Sequence, residues 1–414
     1  MKKVFIIGYV WPEPTASAAG IRMLQLIRFF REEGYEVQFG TPAQKPDTAF
    51  DLGKLGVTTH EIAVNDNNFD SLVSGIDPQI VLFDRFMMEE QFSWRVAEHV
   101  PNALRILDTE DLHFLRKFRQ KSAGDPLDPD PAVLKRDALA KREIAAIYRC
   151  DLTLIISEHE MEVLQSIFGV PAHILVYHPL FAEDGLIQER NELPGYQHRA
   201  DIVFIGNFFH EPNADAIKCL EEGVWEEIHR RLPGVKLHIY GAYMPESLKT
   251  SSVLLKRNVV FHGRAEDVDA VMQQARVCLV PLRFGAGLKG KLIRAMENGL
   301  PSVTTPVGAE GISDKTNWGG AVVPLGEDFT AAVITLYTDK ESWIKAVEQG
   351  FRIIDHRFRR ESYEKTFAGR INACMLDLSF HRSGNFTGQM LMDQRNMAAR
   401  YLSKYIMAKN TNSR

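Results

Sequence analysis

Val4-Phe-Ile-Ile7, then Gly20-Ile-Arg-Met-Leu-Gln-Leu-Ile-Arg-Phe-Phe-Arg-Glu-Glu-Gly34, then Tyr35-Glu-Val-Gln-Phe39 decide the fold. The first run reads as a buried strand. The middle stretch repeats apolar residues at helical spacing and stops at a glycine, and the third run is another strand. Strand, helix and strand in that order make a βαβ unit of a parallel sheet. Ile80-Val-Leu-Phe83, Ala103-Leu-Arg-Ile-Leu107 and Leu152-Thr-Leu-Ile-Ile156 extend the series, with a charged helix over 133–149. The pattern fades at Glu183-Asp-Gly185 and Asn191-Glu-Leu-Pro-Gly195, then resumes with strands at 201–205, 236–240, 259–262, 277–280 and 302–305. The chain reads as α/β, with two doubly wound Rossmann-like domains at 1–182 and 200–380, a linker at 183–199, and a C-terminal helix within 381–410. Open parallel sheets bind ligands beyond the carboxyl ends of their strands, so two facing sheets predict a cleft between domains.

Composition narrows the function. With 414 residues and 45% hydrophobic content, the chain can bury full-sized cores. Forty-nine Lys and Arg against fifty-four Asp and Glu leave −5, which excludes a nucleic-acid partner bound by overall charge. Cys150, Cys219, Cys278 and Cys374 stand far apart without a CxxC pair, which fits a reducing cytoplasm. Lys2-Lys3 and the apolar run after it meet Pro12 and Pro14 instead of a cleavage site, so they read as a strand rather than a leader. No apolar run approaches the ~20 residues of a spanning helix, leaving a cytoplasmic protein, at most peripheral at the inner membrane face.

Residues 381–414 depart from this balance: six Lys or Arg and one Asp give +5, leaving −10 on the rest. Met390, Met397, Tyr401 and Tyr405 fall along one helical stripe, with Arg395 and Lys404 elsewhere. Either the helix packs back on the protein or it is a foothold on anionic lipid. The packed arm is preferred, because apolar stripes usually face a core.

Pro281-Leu-Arg-Phe-Gly-Ala-Gly-Leu-Lys-Gly-Lys-Leu-Ile-Arg-Ala-Met-Glu-Asn-Gly-Leu-Pro301 carries the most chemistry. It follows an apolar strand, passes through a glycine-rich loop and enters a helix that stops at Asn298-Gly299. Gly285, Gly287 and Gly290 let backbone approach a ligand, and free amides at a helix start favour anions. Arg283, Lys289 and Lys291 add three cations to that turn, which suits a diphosphate. From Lys289 to Glu297 is ~12 Å of helical rise, the span from pyrophosphate to ribose, and Glu297 can accept from two ribose hydroxyls. A solvated helix with a surface glutamate is the plain alternative for Glu297 taken alone.

Other signatures fail. Gly285 and Gly290-Lys291 match GxxxxGK, but position 292 is leucine, where a P-loop has the Ser or Thr that holds Mg²⁺. The loop after Ile7 lacks GxGxxG. Asp128-Pro-Asp130 is a DxD in a proline-rich turn. No metal and no cofactor are expected.

These segments resemble the GT-B glycosyltransferases of the large, mostly retaining family that uses nucleotide-sugar donors. The resemblance covers nearly the whole chain. It is strongest over 281–312, ending in Thr304-Thr-Pro-Val-Gly-Ala-Glu-Gly-Ile312, and at Phe204-Ile-Gly-Asn-Phe-Phe-His-Glu-Pro-Asn213 with Asp215. Trp11-Pro-Glu-Pro-Thr-Ala-Ser-Ala-Ala-Gly20, Asp108-Thr-Glu-Asp-Leu-His113 and 151–158 support it. It implies a donor held by the second domain, an acceptor held by the first, and a C-terminal helix that crosses back. Glu297 resembles the ribose-binding glutamate that ends the family's E-x7-E motif, while Lys289 replaces the first glutamate, which usually contacts the donor sugar. Relatives carry an Arg and a Lys after the strand corresponding to Ile205, where this chain has Asn207 and His210.

The resulting expectation is transfer of a sugar from a nucleoside-diphosphate sugar to an acceptor hydroxyl, with retention and without metal, in glycan biosynthesis. Arg283, Lys289 and His113 are the candidate catalytic residues. Gly206, Asn207, His210, Gly287, Leu288, Lys291, Glu297 and Glu310 are candidate donor contacts, and Glu13, Ser17 and Gly20 face phosphate, sugar or acceptor. Gly263 and Arg264 lie near the base or form an ordinary turn. Asn213 and Asp215 are expected to cap a helix, and Arg22 either assists or faces solvent. The acceptor is left open among a lipid-linked glycan, a protein and a small molecule. Two rivals stand beside this reading: a nucleotide-sugar epimerase on the same fold, and a non-catalytic nucleotide-binding partner subunit.

Overall fold

The structure, a computed structural model, describes residues 2–122, 130–182, 185–186, 189–249, 252–313 and 317–411. The first sheet contains β1 (Lys2–Ile7), β2 (Tyr35–Thr41), β3 (Thr58–Glu61), β4 (Ile80–Asp84), β5 (Leu104–Asp108), β6 (Leu152–Ile155) and β7 (Leu175–Tyr177). Its spatial order is β3-β2-β1-β4-β5-β6-β7. The second contains β8 (Ala200–Ile205), β9 (Leu237–Tyr240), β10 (Val259–Gly263), β11 (Ala275–Val280), β12 (Ser302–Thr304) and β13 (Gly320–Val322), in the order β10-β9-β8-β11-β12-β13. All pairings are parallel.

Parallel strands covered on both faces must be apolar on both, which is why Val4-Phe-Ile-Ile7 shows no alternation. Val4 and Ile6 pack with Ile80 and Leu82 beneath α1 (Ala18–Glu32), whereas Phe5 and Ile7 pack with Val81 and Phe83 beneath α2 (Phe86–His99). Strands β3, β7 and β13 lie at sheet edges and have only four, three and three residues. The expected helix over 133–149 is two: Asp137 adopts φ −62° and ψ 133°, ends helix Pro131–Arg136 and caps Ala138–Arg149 by accepting from the Ala140 amide at 2.8 Å.

Strand order reverses between β1 and β4 in one sheet and between β8 and β11 in the other. The loops leaving these four strands therefore diverge and leave crevices, and the two crevices open on one cleft.

After the second sheet the chain returns to the first. The Ala182 amide donates to the Phe358 carbonyl at 3.0 Å where the outgoing and returning segments meet. Phe367, on the long helix Arg360–Leu376, stacks on Phe29 at 4.8 Å and meets Phe30 and His178 edge-on. Helix Phe386–Thr411 then lies against α2 and Ala138–Arg149. Asn385 Nδ2 donates to the Tyr148 carbonyl at 2.7 Å, and Arg95 Nη2 to Ser403 Oγ at 3.1 Å.

The arm thus packs back, but not by the expected stripe. Met390, Tyr401 and Tyr405 are exposed, and the helix's buried positions, among those described, are Gly388, Met392 and Ser403. The side chains of Met397 and Arg395 lie outside the described residues. Among the described residues no helix is long and apolar enough to cross a membrane.

Candidate active site

The cleft has a volume of about 1170 Å³ and is walled by strand ends of both sheets. The loop after β1 turns into α1, whose N-cap Ser17 accepts from the Gly20 amide at 3.0 Å. Opposite it, the loop after β11 turns into α3 (Gly290–Glu297). The two helix starts touch, since a Cβ on Gly290 would stand 2.7 Å from the Ala18 Cβ. Two helix starts therefore converge, an arrangement that favours an anion.

Cations flank this junction. Lys289 is buried and its Nζ donates to the Gly287 carbonyl at 2.9 Å; burial pushes its pKa down, against Glu310 and Glu160. Lys291 Nζ donates to Asn213 Oδ1 at 2.5 Å and stands 4.5 Å above the Phe204 ring. Burial pushes its pKa down to about 7. Glu297 ends the same helix, 3% exposed and facing the cleft, with Arg294 Nη1 at 3.6 Å. Two turns of helix thus carry a cationic end and a carboxylate end.

Of the residues expected from sequence, Glu13, Ser17, Gly20, His113, Gly206, Asn207, His210, Leu288, Lys289, Lys291 and Glu297 line the cleft. His113 opens helix His113–Lys121, with Nδ1 3.1 Å from the Asp111 carbonyl and 3.6 Å from Glu143 Oε1, its ring edge-on to Phe86. Gly206 is required by Asn213, whose side chain would be 2.7 Å from a Cβ. Gly20 is required by the Glu13 backbone at 2.5 Å.

Five expectations need correction. Arg283 lies outside the cleft lining: its guanidinium grips both Asp215 oxygens at 2.6 and 2.9 Å and Glu222 at 2.9 Å, and these carboxylates hold its charge. Glu310 is also outside, paired with Arg119 at 2.8 and 2.9 Å. Gly287 contacts protein, its amide donating to Glu160 at 2.9 Å, and a Cβ there would meet Asp111 at 2.8 Å. Neither Asn213 nor Asp215 caps helix Glu211–Cys219: Asn213 donates to the Asn207 carbonyl at 2.8 Å, and Asp215 holds Arg283. Gly263 and Arg264 also lie off the cleft lining. Arg264 reaches across the domains to Thr15 and to Glu13 at 3.5 Å, and Glu13 also accepts from the Tyr243 hydroxyl at 2.8 Å. Arg22 is buried, held by Asp108 at 2.7 Å and by the His178 and Pro179 carbonyls. Of Asp128-Pro-Asp130, Asp128 lies outside the described residues; Asp130 caps helix Pro131–Arg136.

Strand ends also supply groups that sequence reading passed over. Arg85, after β4, has φ 70° and ψ 156°, a region nearly confined to glycine, and Glu110, after β5, has φ 62°. Both line the cleft. The Arg85 guanidinium lies 4.8 Å over the Tyr9 ring and 3.7 Å from Asp84. Burial beside Asp108 pushes the Glu110 carboxyl up to about 8, so at neutral pH it both donates and accepts. Burial also opposes ionisation of Asp111, but Arg116, His113 and His210 hold its carboxyl below the usual range. Parallel topology was the available signal: β4 and β5 adjoin the switch point.

Residues 199–339 match the family model of glycosyl transferases group 1. Over those residues the second domain is similar to the group 1 glycosyltransferases. An uncharacterised 44.6 kDa protein of the cps region of Klebsiella pneumoniae is 28% identical over 184 residues, 43% of this chain and 44% of that protein. The match therefore spans less than half the length of that curated relative. Among solved structures, sucrose-phosphate synthase of Thermosynechococcus elongatus superposes with a TM-score of 0.68 at 16% identity, over 92% of this chain and 100% of that one. HepE of Anabaena, in complex with UDP and glucose, gives 0.64 at 13%, over 90% and 100%. TarM of S. aureus, in a complex that includes UDP, gives 0.66 at 12%, over 90% and 100%. These likenesses establish the GT-B fold around the glycosyltransferase domain. Among the described residues no group of three or more His, Cys, Asp or Glu is placed to hold a metal ion.

Proposed function

We propose that the protein moves a sugar from a nucleoside-diphosphate sugar to an acceptor hydroxyl. The observation that carries this is the junction of α1 and α3: two helix starts, Lys289 and Lys291 at one end, Glu297 two turns away in the same cleft. The diphosphate lies on the amides and lysines, and the ribose on Glu297. UDP in the HepE and TarM complexes supports a nucleotide donor.

In the reaction the bond from sugar C1 to the β-phosphate oxygen breaks, and its electron pair stays on the phosphate. Lys289, Lys291 and the converging amides stabilise that charge where a metal ion would otherwise act. The acceptor oxygen bonds to C1 from the face the phosphate leaves, and its proton passes to a phosphate oxygen, giving retention. Glu110, Arg85 and His113 orient the acceptor from the first domain. The cps-region relative supports glycan biosynthesis, and four unpaired buried cysteines support a cytoplasmic setting.

Thermal-shift titration with nucleoside diphosphates and their sugars tests the donor site, because ligand held by the native state raises stability. A nucleoside diphosphate that raises Tm, followed by release of the diphosphate with acceptor, is the expected result. If none shifts Tm, the reading is wrong. NMR of the anomeric product proton decides retention.

A further inference from the structure

Fifteen large apolar side chains are exposed among the described residues, and seven of them fall between 376 and 405: Leu376, Phe380, Phe386, Met390, Tyr401, Leu402 and Tyr405. Helix geometry makes the last group a face. At ~100° per residue, Phe386, Met390, Tyr401 and Tyr405 lie within a sector ~100° wide, and Met392 and Ser403 lie roughly opposite. That opposite side is the one buried against α2 and Ala138–Arg149. The helix is therefore anchored by its inner side, with an aromatic-rich stripe turned to solvent. Phe386 is 76% exposed, Tyr401 69% and Tyr405 65%. Isolated exposed apolar residues are ordinary, but several on one face of one helix mark an interaction surface.

We propose that this outer face of helix Phe386–Thr411 docks the enzyme on an anionic lipid bilayer, lying in the plane of the interface. Charge selects that occupant. The segment 381–414 carries +5 on a chain whose remainder is −10, and Asp393 is its single acid; of its six cations Arg382 is held by Asp151. Lys404 lies within the stripe's sector, and it and Lys409 are exposed. An amphipathic helix with a cationic border gains from apolar insertion and from attraction to anionic headgroups. Tyrosine suits that depth, because its ring is apolar and its hydroxyl stays hydrated. A second copy fits less well: a two-fold contact would set the same cationic segments against each other. The inference needs no particular donor or acceptor, so it stands apart from the reaction proposed above.

Full-length protein is floated with vesicles of phosphatidylcholine alone and of phosphatidylcholine with phosphatidylglycerol. Binding at least tenfold stronger to the anionic vesicles, weakened by salt, is expected. Tyr401→Ser with Tyr405→Ser, and separately Lys404→Glu, each lower that binding several-fold while Tm is unchanged, since these side chains are exposed. Equal binding to both vesicle types, none to either, or variants that bind as well as the parent overturn the proposal. So does a concentration-dependent dimer of the parent that the double tyrosine variant abolishes, which assigns the face to a second copy.

Discussion

Glu160, in the short helix Glu158–Glu162 of the first domain, accepts through one carboxylate oxygen from the Leu112 amide at 2.8 Å and from the Gly287 amide at 2.9 Å. One buried oxygen thus fastens the glycine-rich loop of the second domain to the first. Its other oxygen is buried without a partner, and burial beside Asp111 pushes the carboxyl up to about 8. Glu160→Ala orphans two backbone donors, and about 1–3 kcal/mol of stability is lost. Glu160→Gln keeps the accepting oxygen and most of that stability. Urea unfolding of the two variants separates the effects.

Lys289→Ala and Lys291→Ala, singly, reduce the Tm rise given by a nucleoside diphosphate, and together abolish it. Arg283→Ala leaves nucleotide affinity unchanged and costs about 1–3 kcal/mol of stability, because it leaves the mostly covered Asp215 carboxylate without its bidentate partner. Thermal-shift titration of all four proteins checks the assignment.

Donor binding is coupled to a proton. In the free protein burial holds Lys291 near 7, and a bound diphosphate raises it toward the ordinary lysine value. Binding between those two values takes up a proton, and affinity falls as pH rises above 7. In the free protein the sign for stability is opposite. A lysine depressed by folding penalises the native state below pH 7, and the penalty fades as pH rises toward 10.5. Calorimetry in two buffers of different ionisation enthalpy measures the uptake, and Lys291→Met removes it.

Arg85 sits where glycine belongs. Arg85→Gly relieves ~1–3 kcal/mol of backbone strain, less ~0.5–1 kcal/mol for the added freedom of the unfolded chain. Losing the contacts with Asp84 and the Tyr9 ring costs about 1–2 kcal/mol in turn, so the variant is expected to be about as stable as the parent yet to turn over acceptor at least tenfold more slowly. A variant as active as the parent would place the strain outside the mechanism.

The central strands were legible because a doubly covered parallel sheet writes apolar runs such as Val4-Phe-Ile-Ile7 into the chain. Edge strands such as Thr58–Glu61 need only one neighbour and leave no such trace. At the site, Lys289, Lys291 and Glu297 were legible since eight residues of helix fix their spacing. Arg283 was not: its pairing with Asp215 and Glu222 is a tertiary fact, and proximity in sequence to a glycine loop does not say which way a side chain turns. The strain at Arg85 and Glu110 has no sequence signature, because neither residue is the glycine that such backbone prefers. Of the stripe in the last helix, Met390, Tyr401 and Tyr405 share the exposed face instead of the packed one, as periodicity reports a face without naming what covers it.

The bond between Ala182 and Phe358 joins the only two places where backbone passes between the sheets among the described residues. The two passes lie side by side, pinned to each other. Both connections between the halves thus run along one line, as the boards of a book share a spine.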